Sequence, residues 1–128
     1  MFYKLKEEEV EKLREYNILD VRTTIINKLK ELNFKITNIG YDYWIIAIEW
    51  YCKSHYRYSV RTIQMEDIYC YIAEFFNTTR SRVERNMRTM FTLNKKEIEK
   101  KYNYKNITNK KLLYLIGMEV YEELWKKK

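Results

Sequence analysis

Between Ser81 and Thr89, the side chains able to hold a polyanion fall on one side of a helical wheel. At about 100° per residue, Ser81, Arg82, Arg85, Arg88 and Thr89 cluster together, with Arg85 near the middle of that face. Val83, Met87, Met90 and Phe91 cluster on the other side. An apolar underside beneath a row of arginines is what a recognition helix needs, because guanidinium forks pair bidentately with guanine edges in the major groove and also hold phosphates. A second reading stays open, since arginines and glutamates on an exposed helix face are often only a solvated surface. In that reading Glu84 and Arg88, four residues apart, form a surface ion pair worth roughly 0.2–0.5 kcal/mol.

Other chemistries do not assemble. Cys52 and Cys70 fall on helical, partly apolar segments without metal-ligand partners at useful spacing, so they read as reduced core or near-core residues. The one histidine, His55, lies in a polar stretch and reads as a loop residue. No carboxylate pair, nucleophile and base, or glycine-rich phosphate loop is present, so neither an enzyme nor a metal or other cofactor is expected.

The elements that must present the arginine row are legible on either side. Met65, Ile68, Tyr69, Ile72, Ala73 and Phe76 recur at spacings of three and four, the pattern of a helix with one buried face. Asn77 can end that helix in a left-handed conformation, and Thr78 or Thr79 can cap the next. The stretch Gln64–Thr92 therefore predicts two helices joined by a tight polar turn.

With 46% hydrophobic and 16% aromatic residues in 128, the chain has enough apolar side chain for one core rather than disorder. Two glycines and no proline disfavour turn-rich β architectures, so the expected fold is all-α, a compact helical bundle. A net charge of +7 suits a polyanionic partner, although abundant lysine also accompanies an AT-biased genome. The start of the chain turns acidic at once, and the most apolar run, Tyr43–Cys52, is interrupted by Glu49 and too short to span a bilayer. A cytoplasmic protein with no membrane contact is expected.

Taken in order, Phe2–Tyr16 predicts an extra N-terminal helix with a thin apolar stripe of Leu5, Val10 and Leu13, either packed on the body or serving as a dimerisation or partner-binding helix. Asp20 is a candidate N-cap for a helix over Val21–Leu32 that buries Val21, Ile25, Ile26, Leu29 and Leu32. From Gly40 to Tyr51 a helix apolar nearly all round belongs at the bundle centre. Lys53–Ile63 is a basic connection, either a plain solvated loop or, if it lies beside the helix pair, a place where Lys53, Arg57 and Arg61 meet phosphates. A charged helix over Asn94–Tyr102 turns Ile98 and Tyr102 inward, and a last helix over Leu112–Trp125 closes the core with Leu112, Leu113, Leu115, Ile116, Val120 and Leu124. Seven lysines face two glutamates between Lys95 and Lys111, a phosphate-tracking flank or a plain charged surface. The expected division is an N-terminal helical extension over 1–17 and a helix-turn-helix domain over 18–128.

The string NTTRSRVERNMRTMF, Asn77–Phe91, closely resembles the recognition-helix region of the C-terminal effector domain of the stage-zero sporulation master response regulator. Gly40, Tyr41, Tyr43, Trp44, Ala47 and Ile48 are similar to that family's second helix, with Trp44 where Leu is more common. Ile107–Ile116 resembles its Pro-Thr-Asn segment and final helix, with Ile107 in place of the proline. The resemblance runs from about Leu19 to Leu124.

It implies a six-helix DNA-binding domain that reads a short promoter box. Carried over residue by residue, Arg82 and Arg85 would reach guanines and Glu84 would accept from a cytosine amine. Arg88 would approach the backbone or a flanking base, and Thr78, Thr79 and Ser81 would hold phosphate at the helix N-terminus. Thr89, Lys95 and Lys100 complete the expected backbone set. Asn86 stands where the family has a small apolar residue and Thr89 where it has histidine. A receiver domain does not fit in this length, so control is expected to be constitutive or through another protein, with the 2–16 helix as the candidate contact.

The reading is a bacterial transcriptional regulator binding double-stranded DNA, as a homodimer or in tandem on adjacent sites. An interaction module that pairs with or antagonises a full-length regulator is the alternative, and plasmid or phage replication or partition would use the same binding chemistry.

Overall fold

The computed structural model describes residues 18–53 and 63–126, and every regular element among them is a helix. In chain order these are α1 (Ile18–Glu31), α2 (Ile39–Lys53), α3 (Met65–Phe76), α4 (Arg80–Thr92), α5 (Lys95–Tyr102) and α6 (Asn109–Lys126). The helix expected over 2–16 lies outside the described residues, as do His55, Arg57 and Arg61. Among the described residues, no helix is long and apolar enough to cross a membrane.

The position of α2 follows from its composition. Trp44, Ala47, Ile48 and Tyr51 are fully buried, and α4 and α6 pack on this helix most extensively, followed by α1 and α3. Gly117 of α6 admits the Tyr51 ring so closely that a Cβ there would fall 2.3 Å from it. Among the described residues the one buried carboxylate is Glu49, and Arg22 of α1 meets it at 2.6 Å, as a buried charge requires.

Lacking proline and nearly lacking glycine, the chain turns on asparagine. Asn33, Asn77, Asn103 and Asn106 all have φ between 53° and 60°, a left-handed backbone that asparagine tolerates better than other side-chain-bearing residues. The first three end α1, α3 and α5 alike. In each, the asparagine N–H bonds the carbonyl three residues back (Lys30, Glu74, Lys100). The next N–H bonds the carbonyl five residues back (Leu29, Ala73, Glu99). That double closure satisfies carbonyls the helix itself leaves open.

Several boundaries and burials differ from the sequence expectations. Helix α1 starts at Ile18, so Asp20 is a first-turn residue rather than a cap; its carbonyl accepts the Thr24 hydroxyl at 3.0 Å. Ile26 is 37% exposed, because one step past Ile25 rotates it off the stripe of Val21, Ile25 and Leu29. Helix α6 begins at Asn109 instead of Leu112, since the Thr108 hydroxyl accepts the Lys111 N–H at 3.2 Å and extends the helix through polar residues. Cys52 is buried but Cys70 is exposed. Phe76, Tyr102 and Leu115, expected inside, are half-buried at the core margin.

Asn77→Ala should destabilise the protein by about 1 kcal/mol, because an alanine must hold the left-handed conformation without compensation. Asn77→Gly should change stability by only about 0.5 kcal/mol or less. Urea unfolding of both variants checks this pair of outcomes.

Candidate nucleic-acid interface

Helices α3 and α4 with the Asn77–Thr79 turn form a helix-turn-helix. Thr79, not Thr78, is the cap: its backbone is extended and its hydroxyl accepts the Arg82 N–H at 3.3 Å. The Arg80 and Ser81 amides above the cap have no intrahelical acceptor, which leaves a positive end at the helix start.

The two faces of α4 separate as the periodicity predicts. Val83, Met87, Met90 and Phe91 are at most 3% exposed, whereas Ser81, Arg82, Arg85, Arg88 and Thr89 are exposed. Thr79 is exposed and Thr78 half-exposed at the same end. Arg82 and Arg85 have no acidic partner among the described residues, so their guanidinium groups are available. Glu84 is placed differently. Its side chain is 27% exposed and its carboxylate takes Arg88 Nη1 at 2.7 Å. The surface-pair reading of Glu84 and Arg88 is therefore correct for the protein alone. Asn86 turns its side chain back to the Arg82 carbonyl at 2.8 Å, and Thr92 does the same to Arg88 at 2.6 Å.

The lysines of the run meet different neighbours. Lys95 borders the same cleft as Glu84 and Arg88. Lys100 is exposed on α5, two residues beyond buried Ile98. Lys101 turns away and meets Glu31 at 3.5 Å and Glu119 at 3.7 Å. Lys111 lies over the Tyr104 ring at 4.1 Å.

What holds α4 at this angle is a frame that periodicity did not reveal. The Trp44 indole N–H donates to the Met87 carbonyl at 2.9 Å, a buried bond from the central helix to the middle of α4. The same ring stands edge-on to Phe91 at 6.4 Å and to Phe34 at 6.0 Å. Gly40, at the start of α2, approaches so closely that a Cβ there would lie 2.5 Å from the Asn86 carbonyl oxygen. Below α4, Asn109 Nδ2 donates both to the Glu84 carbonyl and to the Tyr69 hydroxyl, each at 3.1 Å, linking α6, α4 and α3. Burial holds the Tyr69 phenol above its ordinary pKa, so it stays protonated. Across the turn, Arg80 grips Glu66 through Nε at 2.6 Å and through Nη2, and its guanidinium lies 5.4 Å from the Tyr69 ring centre. That grip holds the Glu66 carboxyl below its usual range.

Two substitutions in the resemblance acquire physical accounts. Where the related segment has proline, which carries no N–H, Ile107 has one, and Glu99 Oε2 accepts it at 3.2 Å. Where leucine is usual, Trp44 adds the bond to Met87. The start of the Ile107–Asn109 segment was the only sequence signal for the Asn109 link; the 14-residue separation of Glu66 and Arg80 offered none.

A family model described as Sporulation initiation factor Spo0A C terminal matches residues 25–112, from within α1 to the first turn of α6. No curated protein and no solved structure gives a significant match.

Trp44→Leu should cost about 2–4 kcal/mol in urea unfolding, between one lost hydrogen bond and full truncation of a buried aromatic ring.

Proposed function

This chain belongs to the family of sporulation initiation factor Spo0A C-terminal domains, and from that premise we propose that it is a sequence-specific regulator that inserts α4 into the major groove of double-stranded DNA. The family comprises helical DNA-binding regulatory domains and is not a family of enzymes. The observation carrying the finer reading is the pairing of a buried apolar underside with two arginines on the outer face of one helix, Arg82 and Arg85, that have no acidic partner among the described residues.

In this reading Arg82 and Arg85 take guanine O6 and N7 in bidentate fashion, as their fixed fork geometry favours. Glu84 accepts from a cytosine amine. To do so it gives up Arg88, which swings to the phosphate backbone; the exchange costs little because an exposed pair of this kind is worth only about 0.5 kcal/mol. Thr78, Thr79 and Ser81 receive a phosphate at the positive end of α4, Thr89 a second beyond Arg88, and Lys95 and Lys100 track the backbone further out. Copies bind in pairs on adjacent sites.

Binding-site selection from random duplexes tests this reading. Arg82→Ala and Arg85→Ala should each cost about 1–3 kcal/mol and relax discrimination at one base pair. Lys100→Ala should weaken all sequences alike and lower the salt slope by about 1. Equal losses on selected and random DNA would reject base reading. No duplex binding, with capture of a full-length regulator instead, would favour the interaction-module alternative.

A further inference from the structure

Five of the seven large apolar side chains exposed among the described residues fall along one face, built from α1, α2 and α3. Ile26 and Ile36 border a cleft with Lys30 over a floor of Phe34 and Tyr41. Tyr71 and Phe75 border a second with Arg22, Ile46 and Trp50. Ile39, the fifth, opens the outer stripe of α2 two turns before Ile46. We propose that this face pairs two copies of the chain about a two-fold axis.

The two clefts are successive lengths of one surface. Arg22 and Ile26 are one turn apart on α1; Arg22 meets Glu49 of α2 at 2.6 Å, while Ile26 and Lys30 share a cleft with Tyr41, two turns earlier on α2. The two helices therefore run side by side in opposite directions beneath both clefts. Apolar surface of this extent with a charged rim is the mark of an association site.

The charge at its two ends says what covers it. Around Tyr71 and Phe75, Asp67 and Glu74 share the exposed side of α3, and neither has a cationic partner among the described residues. Two carboxylates there face one free lysine, Lys53, because Arg22 is matched by Glu49. Around Ile36 the balance is reversed: Lys30 and Lys35 are exposed with no acidic partner among the described residues, against Asp42 next to Tyr41. Lys96 and Glu97, beyond Asn33 on α5, offset each other.

A partner of one charge sign fits only one end, whereas the face fits itself. A two-fold axis lying in the face midway between the ends carries each end onto the opposite end of the neighbour. Lys30 of one copy then meets Glu74 of the other, the same contact recurs across the axis, and the isoleucines and aromatic rings of both copies are buried between. None of these residues lies on α4, so the pairing goes beyond the DNA reading and does not rest on it.

Sedimentation equilibrium of the full chain without DNA, from micromolar to millimolar concentration, tests the pairing. A monomer–dimer equilibrium is expected. Ile36→Ser and Phe75→Ser replace side chains that are 73% and 61% exposed, so urea midpoints should not fall. Each should weaken the dimer about tenfold, because a two-fold loses every contact twice. Lys30→Glu and Glu74→Lys should each weaken self-association about fivefold, the first even though it lowers the net charge of +7. Mixed in equal amounts, these two variants should pair with each other at least as tightly as the parent chain does with itself, since each reversed charge then meets its opposite. A chain monomeric throughout would overturn the proposal and leave the face to residues 2–16 or to a different protein. A dimer that survives both serine variants, or a mixture no tighter than its components, would place the contact elsewhere and overturn it as well.

Discussion

The molecule depends on how closely α2 approaches α4. A tryptophan ring fills the gap between the two helices, and its one polar atom is satisfied by the Met87 carbonyl. At the other end of the contact Gly40 has no side chain to hold the Asn86 backbone away. Close packing of this kind tolerates little change in volume, so the angle at which α4 presents its outer face is set by its inner one. The apolar groups under α4, each worth about 1.5–3 kcal/mol when fully buried, hold it down. The arginines above them lie outside that packing, and among the described residues Arg82 and Arg85 meet no acidic side chain.

Polar links then fix what packing alone leaves adjustable. Arg80 ties the start of α4 to Glu66 on α3, and Asn109 ties its middle to Tyr69 and to α6. A further network joins α1, α5 and α6, where Lys28 sits within 4 Å of Glu31, Glu119 and Glu123, and Lys101 reaches the first two of these. Lysines there support the bundle instead of facing a polyanion. Position, not net charge, decides what each cation does, and Arg82 and Arg85 stand out because nothing within the described residues claims them.

Much of this was legible in the sequence where the signal is local. The two faces of α4, the left-handed Asn77 and the central place of the apolar α2 all follow from short-range spacing. The failures are equally physical. Ile26 is apolar yet off the stripe, and Asp20 looks like a cap although the helix already runs through it. Glu84, which the resemblance assigns to a cytosine amine, is paired with Arg88 in the protein alone, a contact that the four-residue spacing also allows. The links that orient α4 join residues 14 to 43 positions apart, and no periodicity reports on partners at that distance.

The central claim is that the outer face of α4 meets guanine edges from the major-groove side. The most direct measurement replaces individual guanines of a selected site with 7-deazaguanine, which removes the N7 acceptor in that groove and leaves the base pair intact. Binding should weaken by about tenfold at one or two guanines, and those positions should become insensitive to the change once Arg82 or Arg85 is alanine. Affinity unaltered at every guanine would contradict the account.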